Sequence, residues 1–131
     1  MSISMLRRAQ KKCRKIKNAQ RPVFITGDYA YNPAPKLLVD KISFSYSLSM
    51  IHDYRKSLEQ AYNNLKPGGI IGIIDFLDSK NRIIKKWLLW HNVRLGHEQL
   101  HYINKLFNET TYIETNYGLW RIYEYFGEKT H

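Results

Sequence analysis

His97-Glu98-Gln99-Leu100-His101 has the spacing H-E-x-x-H. On a helix, His97 and His101 share a face and can hold Zn²⁺, while Glu98 acts as general base on a bound water. A third ligand is required. The extended pattern would place glycine at 104 and histidine at 107, where this chain has Asn104 and Phe107. Glu109, Glu114 and Glu124 remain as donors, and nothing in the spacing selects one of them. A zinc metallohydrolase is therefore an alternative reading. The preferred one has no metal: two histidines on a solvated helix face, with Leu100, Ile103 and Phe107 turned inward. The single cysteine, Cys13, excludes a disulfide scaffold and a Cys-rich zinc site. It falls on an apolar stripe and reads as a buried, inert thiol.

The elements that must carry such residues follow from composition and periodicity. The chain has 131 residues, 44% hydrophobic and 24% charged, which fits one globular domain. No apolar run approaches the roughly 20 residues of a membrane span. No secretory leader is read at the start, so a cytoplasmic location is expected. Net charge is +10, unevenly placed. Residues 1–22 hold eight of the 21 basic residues and no acid. Leu6, Ala9, Cys13 and Ile16 line one face of this segment, which predicts a helix capped by Ser2 or Ser4. Its cationic face reads first as the solvated side of a helix packed on a sheet. A basic, non-catalytic module on anionic lipid or nucleic acid is a further alternative. The stripe lacks Trp and Phe, and no aromatics interleave with the basic residues, so nucleic acid is not expected as a partner.

Further along, Pro22–Thr26 reads as a strand ending at Gly27-Asp28, and 29–38 as a proline-bearing loop. Val39–Ser45 reads as a strand. Asp53 caps a helix with the stripe Tyr54, Leu58, Ala61, Tyr62 and Leu65. Lys66-Pro67-Gly68-Gly69 is read as a turn. Ile70–Phe76 is near-continuously apolar, the signature of a strand buried on both faces. Residues 82–107 read as two helices broken near Arg94-Leu95-Gly96. Thr110–Thr115 and Leu119–Phe126 are strands joined through Asn116-Tyr117-Gly118 as a hairpin. Trp87, Trp90 and Trp120 are assigned to the core. The pattern predicts an α/β protein with a mostly parallel sheet and an antiparallel hairpin at its edge.

The run Asp40–Asp53, containing Phe44-Ser45-Tyr46-Ser47-Leu48-Ser49-Met50-Ile51, then Leu65-Lys66-Pro67-Gly68-Gly69 and Ile73-Ile74-Asp75-Phe76, resembles the class I S-adenosylmethionine-dependent methyltransferases. The wording is most similar to the branch that methylates lipid head groups, the betaine-lipid and phosphatidylethanolamine N-methyltransferases. Lys86–Leu95 looks like that branch's Trp-rich insert. The resemblance implies a Rossmann-like sheet of strand order 3-2-1-4-5-7-6 and S-adenosylmethionine as cofactor. By the same resemblance, Asp28 and Tyr29 border the adenine, and Ser45 and Tyr46 flank the cofactor. His52 and Tyr46 are the candidate catalytic groups.

The family's glycine-rich loop after strand 1 and the acid ending strand 2 have no counterpart here. None of the seven glycines forms G-x-G-x-G. The expectation is one incomplete domain, the carboxy-terminal part of a methyltransferase, with strands 1 and 2 lacking and cofactor binding impaired. A complementing amino-terminal fragment, or self-association through an open sheet edge, is the expected partnership. The basic helix would make a peripheral contact with anionic membrane.

Overall fold

The computed structural model describes residues 3–16, 22–32, 38–91, 93 and 96–130. Helix α1 spans Ile3–Arg14, and strand β1 spans Val39–Ser45. A 3₁₀ turn at Leu48–Met50 follows, then α2 over Tyr54–Asn64 and β2 over Leu65–Asp78. Helices α3 (Arg82–Trp90) and α4 (Gly96–Leu106) precede β3 (Asn108–Asn116) and β4 (Arg121–Glu128).

The sheet order is β1-β2-β4-β3. β1 runs parallel to β2, with Ser43 opposite Gly72 and Ser45 opposite Ile74. β4 is antiparallel to both β2 and β3. This is the 4-5-7-6 portion of the order implied by the methyltransferase resemblance. Among the described residues, the far edge of β1 has no strand beside it.

Alternation sends Phe44, Ile71, Ile73, Leu77, Tyr123 and Tyr125 to one face. There they form a core with Leu58 and Ala61 of α2 and Ile103 of α4. The cap is as expected: the Asp53 side chain accepts from the Lys56 N–H, satisfying one otherwise unpaired donor of the first turn of α2. The hairpin also forms where expected. Gly118 adopts φ +83°, its N–H donates to the Asn116 side chain at 2.8 Å, and the Tyr117 N–H donates to the Trp120 carbonyl.

Several expectations are corrected. Pro22–Thr26 is not a strand: it has no ladder partner among the described residues, and Val23 is exposed. A short apolar run becomes a strand only beside another strand. β2 is buried on one face, not two, because Ile70, Gly72, Ile74 and Phe76 point away from α2 and α4 and stay half-buried or exposed. Lys66–Gly69 is absorbed into β2 and is not a free turn. Its Gly68 N–H donates to the Lys129 carbonyl at 2.7 Å, and the Lys129 N–H donates to the Gly69 carbonyl at 2.9 Å.

No residue of α1 is buried, and Cys13 is half-buried. The expected burial of that stripe against a sheet is therefore not seen. Ser4 lies inside α1 and does not cap it, while Ser2 lies outside the described residues. Trp87, Trp90 and Trp120 are exposed, contrary to their assignment to the core.

Candidate functional site

The carboxyl ends of parallel strands are where open α/β sheets bind ligands. In this chain that rim belongs to β1 and β2. Immediately past Ser45, Tyr46 takes a left-handed backbone with φ +48°, the one non-glycine residue to do so among those described. Such a conformation costs a non-glycine residue about 1–2 kcal/mol. Two contacts offset it. The Tyr46 N–H donates to the Ile74 carbonyl at 2.8 Å, and the Tyr46 ring lies 5.4 Å from Phe76. Trp120 meets the same Phe76 edge-on at 6.4 Å. Ser45 lines a shallow hollow on the open sheet face with Ser43, Ile74, Glu124 and Phe126, floored by Gly72.

The loop holding Asp28 and Tyr29 docks beside this rim. The Asp28 carboxylate accepts from the Ala30 N–H at 3.0 Å, and the Asp28 carbonyl accepts from the N–H groups of Tyr31 and Asn32. The turn thus closes on itself. Its two tyrosines tie it to the body. The Tyr29 hydroxyl donates to Asn64 at 3.3 Å, with the Tyr29 ring edge-on to Phe44. The Tyr31 hydroxyl donates to Asp53 at 3.1 Å. Asp53 is held below the usual carboxylate range chiefly by the Lys56 N–H, with the Tyr31 hydroxyl and the nearby His52 adding to it. So Asp28, Tyr29, Ser45 and Tyr46 sit on segments that converge on β1.

His52 adjoins Asp53, to which that loop is tied through Tyr31, and is placed apart from Tyr46. It lines a polar recess with Asp53, Tyr54, Arg55 and Glu98, on the α2 and α4 side of the sheet. Tyr46 leans on Phe76, on the opposite side. No hydrogen bond joins the two candidates among the described residues.

Behind the rim lies a buried polar network that the sequence did not reveal. Asp75 is fully buried; one of its carboxylate oxygens accepts from the Ser49 N–H at 2.8 Å and the other from the Phe76 N–H at 2.8 Å. Gln99 donates to the Leu48 carbonyl and accepts from the Tyr123 hydroxyl, both at 3.4 Å. Burial pushes the Tyr123 phenol up, and the Asp75 charge adds to this. The network clamps the 3₁₀ turn that directly follows Tyr46. Asp75 could have been suspected as an acid within an apolar strand. Gln99 gave no signal beyond its place between Glu98 and Leu100.

The H-E-x-x-H residues are used otherwise. Glu98 accepts from Arg55 at 2.7 Å, and His97 pairs with Asp78 at 3.2 Å. His101 is exposed. No group of three or more His, Cys, Asp or Glu is placed to hold a metal among the described residues. Glu109, Glu114 and Glu124 are therefore not brought to the two histidines. The zinc hydrolase reading is not supported.

Residues 1–107 match the model of the ubiE/COQ5 methyltransferase family. No curated protein matches the chain. Solved structures do. The N-methyltransferase NodS from Bradyrhizobium japonicum WM9 superposes with a TM-score of 0.75 at 12% identity, over 99% of this chain and 70% of NodS. The [4+2]-cyclase SpnF gives 0.78 at 14% identity, over 98% of this chain and 64% of SpnF. Phosphoethanolamine N-methyltransferase 2 from Haemonchus contortus, in complex with phosphomonomethylethanolamine and S-adenosylhomocysteine, gives 0.58 at 12% identity, over 70% of this chain and 34% of that one. At such identities the likeness is one of fold, and a cyclase among the neighbours shows that the fold does not set the reaction.

Proposed function

The chain belongs to the ubiE/COQ5 methyltransferase family, whose cofactor is S-adenosylmethionine, and on that premise we propose that it is the carboxy-terminal portion of a methyltransferase acting on an amine of a lipid or other small molecule. We propose further that these residues do not turn over substrate unaided. The observation that carries the first reading is the rim at Ser45 and Tyr46, a strained, network-clamped turn at the carboxyl ends of two parallel strands.

The residues present suit one flank of the cofactor. The Asp28 carboxylate and Tyr29 N–H would take the adenine edge, while Ser45 and Tyr46 would border the remainder. The opposite flank needs glycines that let the backbone approach closely, and G-x-G-x-G occurs nowhere in the 131 residues. When bound, S-adenosylmethionine supplies an electrophilic methyl group. The chain's own part is to orient the acceptor and keep its amine dry and uncharged. Tyr46 stands at the rim, where its hydroxyl would accept a hydrogen bond from the amine and orient it, whereas His52, which carries a basic nitrogen, lines the recess on the other side.

Support for a partner comes from the open edge of β1 and the exposed Ile70 and Phe126 on the sheet face beside it. A segment carrying the glycine-rich loop, or a second copy of the chain, would cover them.

Isothermal titration of the 131-residue chain with S-adenosylmethionine is the test. Low-micromolar binding by the chain alone would overturn the claim of incapacity. A chain joined to a glycine-rich βαβ segment is expected to bind, and Asp28→Ala should then weaken binding about tenfold or more. Unchanged affinity in that variant would remove Asp28 from the site.

A further inference from the structure

We infer that α3 is an interfacial helix that seats this protein on an anionic lipid bilayer. The helix has two apolar faces. Leu88 is buried and Ile84 is half-buried, so this pair forms the side toward the protein. Ile83, Trp87 and Trp90 recur at i, i+4 and i+7 and form a second stripe, exposed to 79%, 55% and 81%. An outward stripe of one isoleucine and two tryptophans is poorly suited to water. Tryptophan suits a membrane interface, where the ring is taken into the acyl boundary and the indole N–H stays wet.

Charge selects the kind of interface. Lys80, Arg82, Lys85 and Lys86 crowd the start of the helix, and no acid occurs between Asp78 and Glu98. None of the four forms an ion pair among the described residues. On the helix, Arg82 and Lys86 border the Ile83–Trp90 stripe on one side. Aromatics flanked by unpaired cations match an anionic head-group layer, which offers both an apolar interior and a negative surface.

The helix is also held firmly. It lies on an excursion whose two ends are joined, because Asp78 pairs with His97. Asp78 is gripped in turn by Arg121, whose Nε donates at 2.6 Å, and the Ser79 hydroxyl donates to the Leu119 carbonyl. The excursion leaves the sheet at the carboxyl end of β2, the edge that also carries Tyr46. A bilayer under α3 would lie beside that rim. The docking claim rests on α3 alone; only a membrane-borne acceptor would rest on the methyl-transfer reading.

Sedimentation of the full chain with phosphatidylcholine vesicles, and with phosphatidylcholine vesicles containing phosphatidylglycerol, tests the claim. Binding to the second kind only, with a blue shift of tryptophan emission, is expected. Trp87→Ala with Trp90→Ala should lower it at least tenfold while circular dichroism shows the fold kept. Arg82→Ala with Lys86→Ala should lower it about thirtyfold, and added salt should act in the same direction. Undiminished binding by the tryptophan variant would overturn the claim, since α1 would then be the contact. Equal binding to both vesicle kinds, or none to either, would overturn it too. So would self-association or capture of single-stranded nucleic acid, without vesicle binding, that the tryptophan variant abolishes. Cofactor titration is read separately, so failure here leaves the methyl-transfer reading standing.

Discussion

Tyr46 combines a left-handed backbone with a ring tilted against Phe76, and the ring contact offsets part of the backbone's cost. A β-branched residue tolerates that backbone worst, and asparagine tolerates it well. Tyr46→Val should therefore be less stable than Tyr46→Asn by about 1 kcal/mol, read from denaturant midpoints. An equal loss in the two variants would mean that the ring contact, not the backbone, sets the cost. Asp78 makes the second prediction at this scale. The Arg121 guanidinium, with His97 adding to it, holds its carboxyl down to about 2. A carboxyl lowered in the fold contributes stability above its unfolded value, near 4. That stability is lost as pH falls through the folded value. Between about pH 4 and pH 2 the protein should lose on the order of 1 kcal/mol through this group, a figure reduced for partial exposure. Asp78→Asn should flatten that part of the curve of stability against pH. Lys129 is a further residue whose role appears only in the fold. Its ammonium donates to the Tyr62 and Leu65 carbonyls at 2.7 and 2.9 Å, closing the carboxyl end of α2.

Among the elements, α4 is positioned by its first residue. A methyl group on Gly96 would stand 2.6 Å from the Tyr123 ring and 2.8 Å from the Phe76 carbonyl. Gly96→Ala should therefore cost about 1–3 kcal/mol, because backbone cannot yield as a side chain can. Gly118→Ala, with open space around it, is strained only by its φ of +83° and serves as the comparison. Thermal melts of the two separate overpacking from backbone strain. The same approach of α4 brings Gln99 to the Leu48 carbonyl. Gln99→Leu should thus loosen the turn after Tyr46, seen as faster amide exchange at Ser49 and Met50 than in Leu100→Ala. Equal exchange in the two variants would detach Gln99 from the rim.

For the molecule as a whole, the sheet is asymmetric. One face is packed under α2 and α4, while the other shows Ile70, Phe126 and Ile113 at 40%, 43% and 47% exposure beside an open strand edge. Exposed apolar surface next to an unpaired edge favours association. Light scattering should find the isolated chain above monomer mass at high concentration, and Ile70→Lys with Phe126→Lys should return it toward monomer. Association unaffected by these changes would point to α1 or α3 instead. No helix among the described residues is long and apolar enough to cross a membrane.

The amino-acid sequence determined whatever depends on near neighbours. The Asp53 cap, the α2 stripe as far as Tyr62, the division into α3 and α4 and the Asn116-Tyr117-Gly118 hairpin were all legible, since each is set by periodicity or turn chemistry within a few residues, whereas Leu65, the last member expected of that stripe, opens β2 instead. The ordered motifs from Asp40 to Phe76 also indicated the family. Only the tertiary structure decided what depends on a distant partner. Pro22–Thr26 has the composition of a strand and no ladder beside it among the described residues. Ile70–Phe76 reads as doubly buried, yet its side chains meet helices on one side alone. Trp87 and Trp90 have the residue type of a core and are turned outward. His97 and Glu98 look like chemistry and are spent on ion pairs, while the plain Gln99 between Glu98 and Leu100 reaches the rim. Burial, pairing and charge neutralisation are properties of two segments meeting, and the order of residues along one of them does not contain the other.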